Sequence, residues 1–124
     1  MKEHKSFTDL IVWQKGHELV ITVYKGTTTF PKQFLSLANQ MERAAVSFTS
    51  NIAEGFGRDS ARDRSHFYVM ARGSLAELQN QILVARDVSA MSRTRFTQLA
   101  DQTVDCYKLI NALIKANKAK FSSL

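Results

Sequence analysis

The sequence predicts an all-α fold, an antiparallel up-down-up-down four-helix bundle. Three observations predict it. Apolar residues recur every three or four positions along most of the chain. One proline and five glycines interrupt 124 residues, too few for the many turns of an all-β chain. The turn signals gather at three places, Gly26 to Pro31, Gly55 to Ser60 and Ser89 to Ser92. They leave four long amphipathic segments with short connections, which make antiparallel neighbours. We read residues 1–124 as a single four-helix-bundle domain. A chain of this length buries roughly two-thirds of its unfolded surface, enough for a core without metal or disulfide.

The first helix is expected over residues 9–25, with Thr8 as N-cap. Leu10, Trp13, His17, Val20 and Tyr24 fall on one seam, widened by Val12, Gly16, Leu19 and Val23. Gln14, Lys15, Glu18, Thr22 and Lys25 fall opposite. The second helix is expected over residues 31–56, with Pro31 in its first turn and Gly55 or Gly57 ending it. Its core face is Phe34, Leu37, Ala38, Met41, Ala44, Ala45, Phe48, Ile52 and Phe56.

The third helix is expected over residues 61–89, with Ser60 as N-cap and Asp63 three residues on. Its core face is Phe67, Met70, Ala71, Ser74, Leu75, Leu78, Ile82, Ala85 and Val88. The fourth is expected over residues 93–120 behind Ser92, with Phe96, Leu99, Ala100, Cys106, Tyr107, Ile110, Leu113 and Ile114 inward.

Composition excludes several classes. With 44% hydrophobic and 23% charged residues, the chain is globular and not disordered. One cysteine permits no internal disulfide, which fits a reducing compartment. The longest apolar run, Leu10 to Trp13, is far short of a membrane span, and the residues from Met1 to Lys5 do not read as a secretory signal. The expectation is a soluble, cytoplasmic protein without membrane contact. His4, His17 and His66 have no metal spacing, and Gly55-Phe56-Gly57 lacks the strand and third glycine of a nucleotide fingerprint. No metal or cofactor is expected.

The net charge is +6, and it is uneven: residues 61–124 hold ten Lys and Arg against five Asp and Glu. Such an excess attracts polyanions. On the bundle, the second connection shares an end with both termini. That end gathers Lys2, Lys5, Arg58, Arg62, Arg64, Lys115, Lys118 and Lys120, only partly offset by Glu3, Asp9, Asp59 and Asp63. Arg62 and Arg64 open the third helix, where the dipole disfavours cations. Tyr68, Arg72, Gln79 and Arg86 align on that helix's outer face, an aromatic to stack on a base and guanidinium groups to meet phosphates. The candidate nucleic-acid-binding residues are therefore Arg58, Arg62, Arg64, Tyr68, Arg72, Arg86, Lys115, Lys118 and Lys120. The alternative is a solvated face that keeps the chain soluble.

The third helix carries a second apolar stripe, Val69, Gly73, Ala76 and Leu83 with Asn80 between. Leu35, Val46 and Ala53 lie similarly off the core face of the second helix. A bundle buries one stripe per helix, so the second one is read as an interface for self-association rather than scattered surface residues. Gln40, Ser47, Asn51, Glu54 and Arg58 line the second helix beside its core, facing Ser74, Glu77 and Gln81. Polar groups there must pair or lose about 1–3 kcal/mol each. Ser47, Asn51, Glu54, Arg58, Ser74 and Glu77 are read as a structural network that fixes helix register. A hydrolytic site on Glu54 or Glu77 is the lesser alternative.

Three runs carry a family resemblance: Phe7 to Lys15, Ser47 to Arg58 with Asn51-Ile-Ala-Glu54-Gly55, and Ala71 to Leu78 with Gly73-Ser74-x-x-Glu77. In these the chain resembles the four-helix-bundle proteins encoded by intervening sequences in bacterial large-subunit ribosomal RNA genes. That family includes the accessory variability protein of diversity-generating retroelements. The resemblance implies a homopentameric, barrel-like ring with a basic surface, association with RNA and a polymerase-type protein partner, and no enzymatic activity or catalytic residues. Relatives often carry proline where this chain has Thr49. The expected function is a non-enzymatic, homo-oligomeric accessory protein or scaffold that binds RNA or other nucleic acid. The alternative is a protein-interaction scaffold with no direct nucleic-acid role.

Overall fold

The computed structural model describes residues 4–122; Lys2 and Glu3 of the expected basic end lie outside them. The described residues form four helices and no strand: α1 Ile11–Thr27, α2 Leu35–Phe56, α3 Ala61–Asp87 and α4 Arg93–Ser122. Each of α1 and α3 packs against both α2 and α4. All four contribute to one core, through Leu19 and Val23, Met41, Phe48 and Ile52, Leu75, Leu78 and Ile82, and Leu99 and Ile110. Each large apolar side chain fully buried there contributes about 1.5–3 kcal/mol.

The start of α1 differs from the expected one. Ser6, and not Thr8, is the cap: its Oγ accepts from the Thr8 N–H at 3.2 Å, and the Asp9 carboxylate accepts from the Ser6 N–H at 3.1 Å. This local bonding closes a 3₁₀ turn over Phe7–Asp9 and leaves Leu10 extended, so α1 begins at Ile11. The buried face is also turned. Val12, Gly16, Leu19, Val20 and Val23 point inward, whereas His17 and Tyr24 are exposed and Trp13 is half-buried. Gly16 decides the rotation, because α2 comes close enough that a Cβ there would lie 2.7 Å from a Phe48 ring carbon. His17 stacks instead on Trp13, with ring centroids 4.8 Å apart. Thr22, expected outside, is buried and its hydroxyl donates to the Glu18 carbonyl at 3.0 Å.

Pro31 stands before a 3₁₀ turn over Lys32–Phe34, so α2 begins at Leu35. Neither Gly55 nor Gly57 ends α2 by turning left-handed, since no described glycine has positive φ. Gly55 serves closeness: a Cβ there would meet Tyr68 Cε1 at 2.8 Å and Phe67 Cβ at 2.9 Å.

Ser60 and Ser92 cap α3 and α4, accepting from the Asp63 and Arg95 N–H groups at 3.1 Å each. α3 stops at Asp87, short of the expected Ser89. Ser89 adopts φ 61° and donates to the Arg86 carbonyl, and Ala90 donates to the Ala85 carbonyl at 2.9 Å. This is a Schellman ending with serine in the left-handed position. Met70, Val88 and Tyr107, expected in the core, are exposed. Tyr68, Gln81, Thr103 and Asn117 are buried in addition to the expected apolar residues. No helix among the described residues is long and apolar enough to cross a membrane.

Candidate nucleic-acid interface

The basic end is organised around Arg64. Its Nε donates to Asn117 Oδ1 at 3.3 Å, and its Nη1 donates to the Arg58 and Asp59 carbonyls at 3.0 and 3.2 Å. Asn117 is buried and donates in turn to the Ala61 carbonyl. The first turn of α3 is thereby joined to the last turns of α4 and to the α2–α3 connection. An arginine in this unfavourable dipole position has a local reason, since it satisfies loop carbonyls. Arg62, one turn edge away, lays its guanidinium 5.1 Å from the centroid of the Phe121 ring. Lys115, Lys118 and Lys120 stand exposed on the same last turns of α4. Arg58 is held by Glu54 at 3.3 Å and lies over the Phe67 ring.

Other expected members of the interface are elsewhere. Tyr68 is only 3% exposed; it packs into the core beside Gly55 and offers no stacking surface. The three- and four-residue period placed it outside because the core face of α3 turns toward Tyr68 and away from Met70. Arg72 donates to Asn111 Oδ1 at 2.8 Å across the α3–α4 seam. Arg86 is bonded to Asp87 at 2.8 Å and lies over Phe96. It sits 22 residues along α3 from Arg64, roughly 33 Å in helical rise. The aromatic that α4 does expose is Tyr107.

The six polar-network residues form separate groups. Ser47 and Ser74 hydroxyls meet at 2.8 Å across α2 and α3, and Asn51 Nδ2 donates to the Ser47 carbonyl at 2.9 Å. Glu54 and Arg58 form their own exposed pair, worth about 0.3–0.5 kcal/mol. Glu77 accepts from Gln81 Nε2 at 3.2 Å. The two carboxylates therefore stand in separate pairs, Glu54 with Arg58 and Glu77 with Gln81. Among the described residues no three His, Cys, Asp or Glu side chains gather as a metal-holding group.

The second apolar stripe faces outward. Val69 is 39% and Leu83 44% exposed, and a Cβ on Gly73 would meet nothing within 4 Å. Val104 of α4, also exposed, adds to it. Leu83 and Val104 line one shallow recess together with Ala100. The sequence pattern alone did not single out Val104, Asn111 or Asn117. Asn117 was findable, since it stands three residues past Ile114 on the same core seam.

Four helices around one core, with a basic end and an exposed apolar stripe, define an all-α helical protein. The chain belongs to the 23S rRNA-intervening sequence protein family, whose model matches residues 8–112. Among solved structures it is similar to a protein of unknown function from the S23 ribosomal protein family of Bacteroides thetaiotaomicron VPI-5482. The TM-score is 0.76 at 16% identity, covering 85% of this chain and 99% of that one. At that identity the likeness speaks for the fold alone. No curated protein matches the chain.

Proposed function

We propose that this chain is a non-enzymatic accessory protein that binds RNA or other nucleic acid on the exposed cations of one bundle end. The observation that carries the reading is the gathering of Arg62, Lys115, Lys118 and Lys120 around the Arg64–Asn117 link. Like charges held together on a surface repel unless a polyanion neutralises them. The membership in an rRNA-intervening sequence family agrees with such a partner. Arg64 supports the surface and does not need to touch phosphate.

The helices of this protein run up-down-up-down and antiparallel. Arg64 meets Asn117 while Arg72 meets Asn111, and Ser47 meets Ser74 while Gly55 approaches Tyr68, so partners descend in one helix as they rise in the next. The bundle assembles through Val69, Gly73, Ala76 and Leu83 into a homo-oligomeric ring, pentameric as the family resemblance implies, and works in the cytoplasm. A second reading rests on the same apolar face: it receives a protein partner, such as the polymerase-type partner of the retroelement relatives, and the chain is a scaffold without a nucleic-acid role.

The test is binding of a structured RNA across a salt series. Counterion release gives a slope of about 0.7–0.9 per phosphate met. The variant combining Arg62→Gln, Lys115→Gln and Lys118→Gln is expected to lower the slope by about two to three and to weaken binding at least about tenfold. RNA affinity that survives this triple replacement overturns the nucleic-acid reading. A protein partner that persists after nuclease treatment and is lost with Leu83→Glu supports the scaffold.

A further inference from the structure

The basic end also holds a recess of about 460 Å³. It opens between the segment before α1, the end of α2, the first turns of α3 and the last turns of α4. The volume falls in the range of small-ligand sites, about 300–1,000 Å³. Leu10, Phe56 and Leu113 give it apolar walls, and Arg64, Lys120 and His4 line the rest. Among the described residues no carboxylate lines it.

Two donors there have no partner among the described residues. Tyr68 lines the recess and is 3% exposed, and its hydroxyl makes no hydrogen bond. Arg64 spends Nε and Nη1 on Asn117 and the loop carbonyls, which fixes the guanidinium and leaves Nη2 unbonded. Tyr68 lines the recess, so its hydroxyl is a donor for a group bound there. Burial raises the Tyr68 pKa, with the Arg64 charge opposing, so the phenol stays a proton donor at neutral pH.

We propose that this recess binds a nucleotide phosphomonoester, the phosphate held by Arg64 Nη2, Lys120 and the Tyr68 hydroxyl and the base laid against Phe56 and Leu113. A fixed guanidinium fork, an ammonium and a neutral hydroxyl are donors that match phosphate oxygens. The apolar wall of Phe56 and Leu113 suits a ring and gives nothing to inorganic phosphate. The choice of a nucleotide over other organic phosphates rests on the nucleic-acid reading of the adjoining surface. The source is either a free mononucleotide or the phosphorylated end of a strand.

Calorimetric titration of the full chain with AMP, adenosine and inorganic phosphate tests it. AMP is expected to bind at least about tenfold tighter than either fragment. Tyr68→Phe keeps the ring and removes only the unpartnered hydroxyl; it is expected to weaken AMP about tenfold without lowering the melting temperature. Lys120→Gln, at an exposed position, weakens it by a smaller factor. AMP bound no tighter than adenosine, or bound equally by the parent and both variants, overturns the site. Paired RNA oligonucleotides with a 5′-phosphate or a 5′-hydroxyl separate the sources. Preference for the phosphorylated end assigns the strand terminus; equal binding beside tight AMP assigns the free nucleotide. The Arg62, Lys115 and Lys118 triple variant keeps AMP binding, and Tyr68→Phe keeps the salt slope for structured RNA, so either reading can fail alone.

Discussion

Ser89 shows how one residue can work against its backbone. It holds φ 61° because the Schellman ending of α3 requires a left-handed residue between Val88 and Ala90. That conformation is unfavourable for a residue with a Cβ by about 1–2 kcal/mol. Ser89→Gly is therefore expected to raise stability by about 1 kcal/mol, seen as a higher denaturation midpoint at unchanged slope. A lower midpoint would mean the serine contributes more than its strain. Cys106 gives a pH signature. Burial, reinforced by Asp105 and Glu18, pushes its thiol from an ordinary 9.0 up to about 12. The folded value exceeds the unfolded one, so the thiol favours folding below pH 9.0, and that contribution is lost as pH rises toward about 12. At pH 8 the native protein is expected to resist a thiol-specific disulfide reagent and to react at once in denaturant. Rapid labelling of the native protein would place the thiol outside the core.

At the scale of the element, α3 has two faces with different duties. One buries Tyr68, Ala71, Leu75, Leu78 and Ile82. The other leaves Val69, Gly73, Ala76 and Leu83 in the open. A side chain as exposed as Leu83 contributes little within one copy, within about 0.5 kcal/mol. Leu83→Glu is accordingly expected to lower the mass measured by light scattering while helical content stays constant. An unchanged mass would remove this face from self-association and leave it to another partner. α1 shows why periodicity alone mistook a face. Its apolar residues cover a wide arc, and the arc has two centres. Gly16 is the feature that selects between them, because only the side without a Cβ admits Phe48 of α2 so closely.

For the molecule as a whole, charge and shape meet at one end. Raising salt is expected to weaken RNA binding steeply and AMP binding in the recess far less, because partly buried charges are screened less than exposed ones. Equal salt dependence for the two would merge them into one surface effect. The sequence by itself determined the all-α class, the four segments, the serine caps of α3 and α4, most of the core of α2 and the basic end. These follow from period, turn chemistry and composition, which act over a few residues. It also held the three runs of the family resemblance, Phe7 to Lys15 and those around Asn51 and Gly73. Only the tertiary structure decided which face of α1 turns inward, that Tyr68 is a buried wall rather than a stacking platform, and that Arg64 is anchored on Asn117. Each of these depends on how near one helix comes to another, and that distance is set by side chains far apart in the chain.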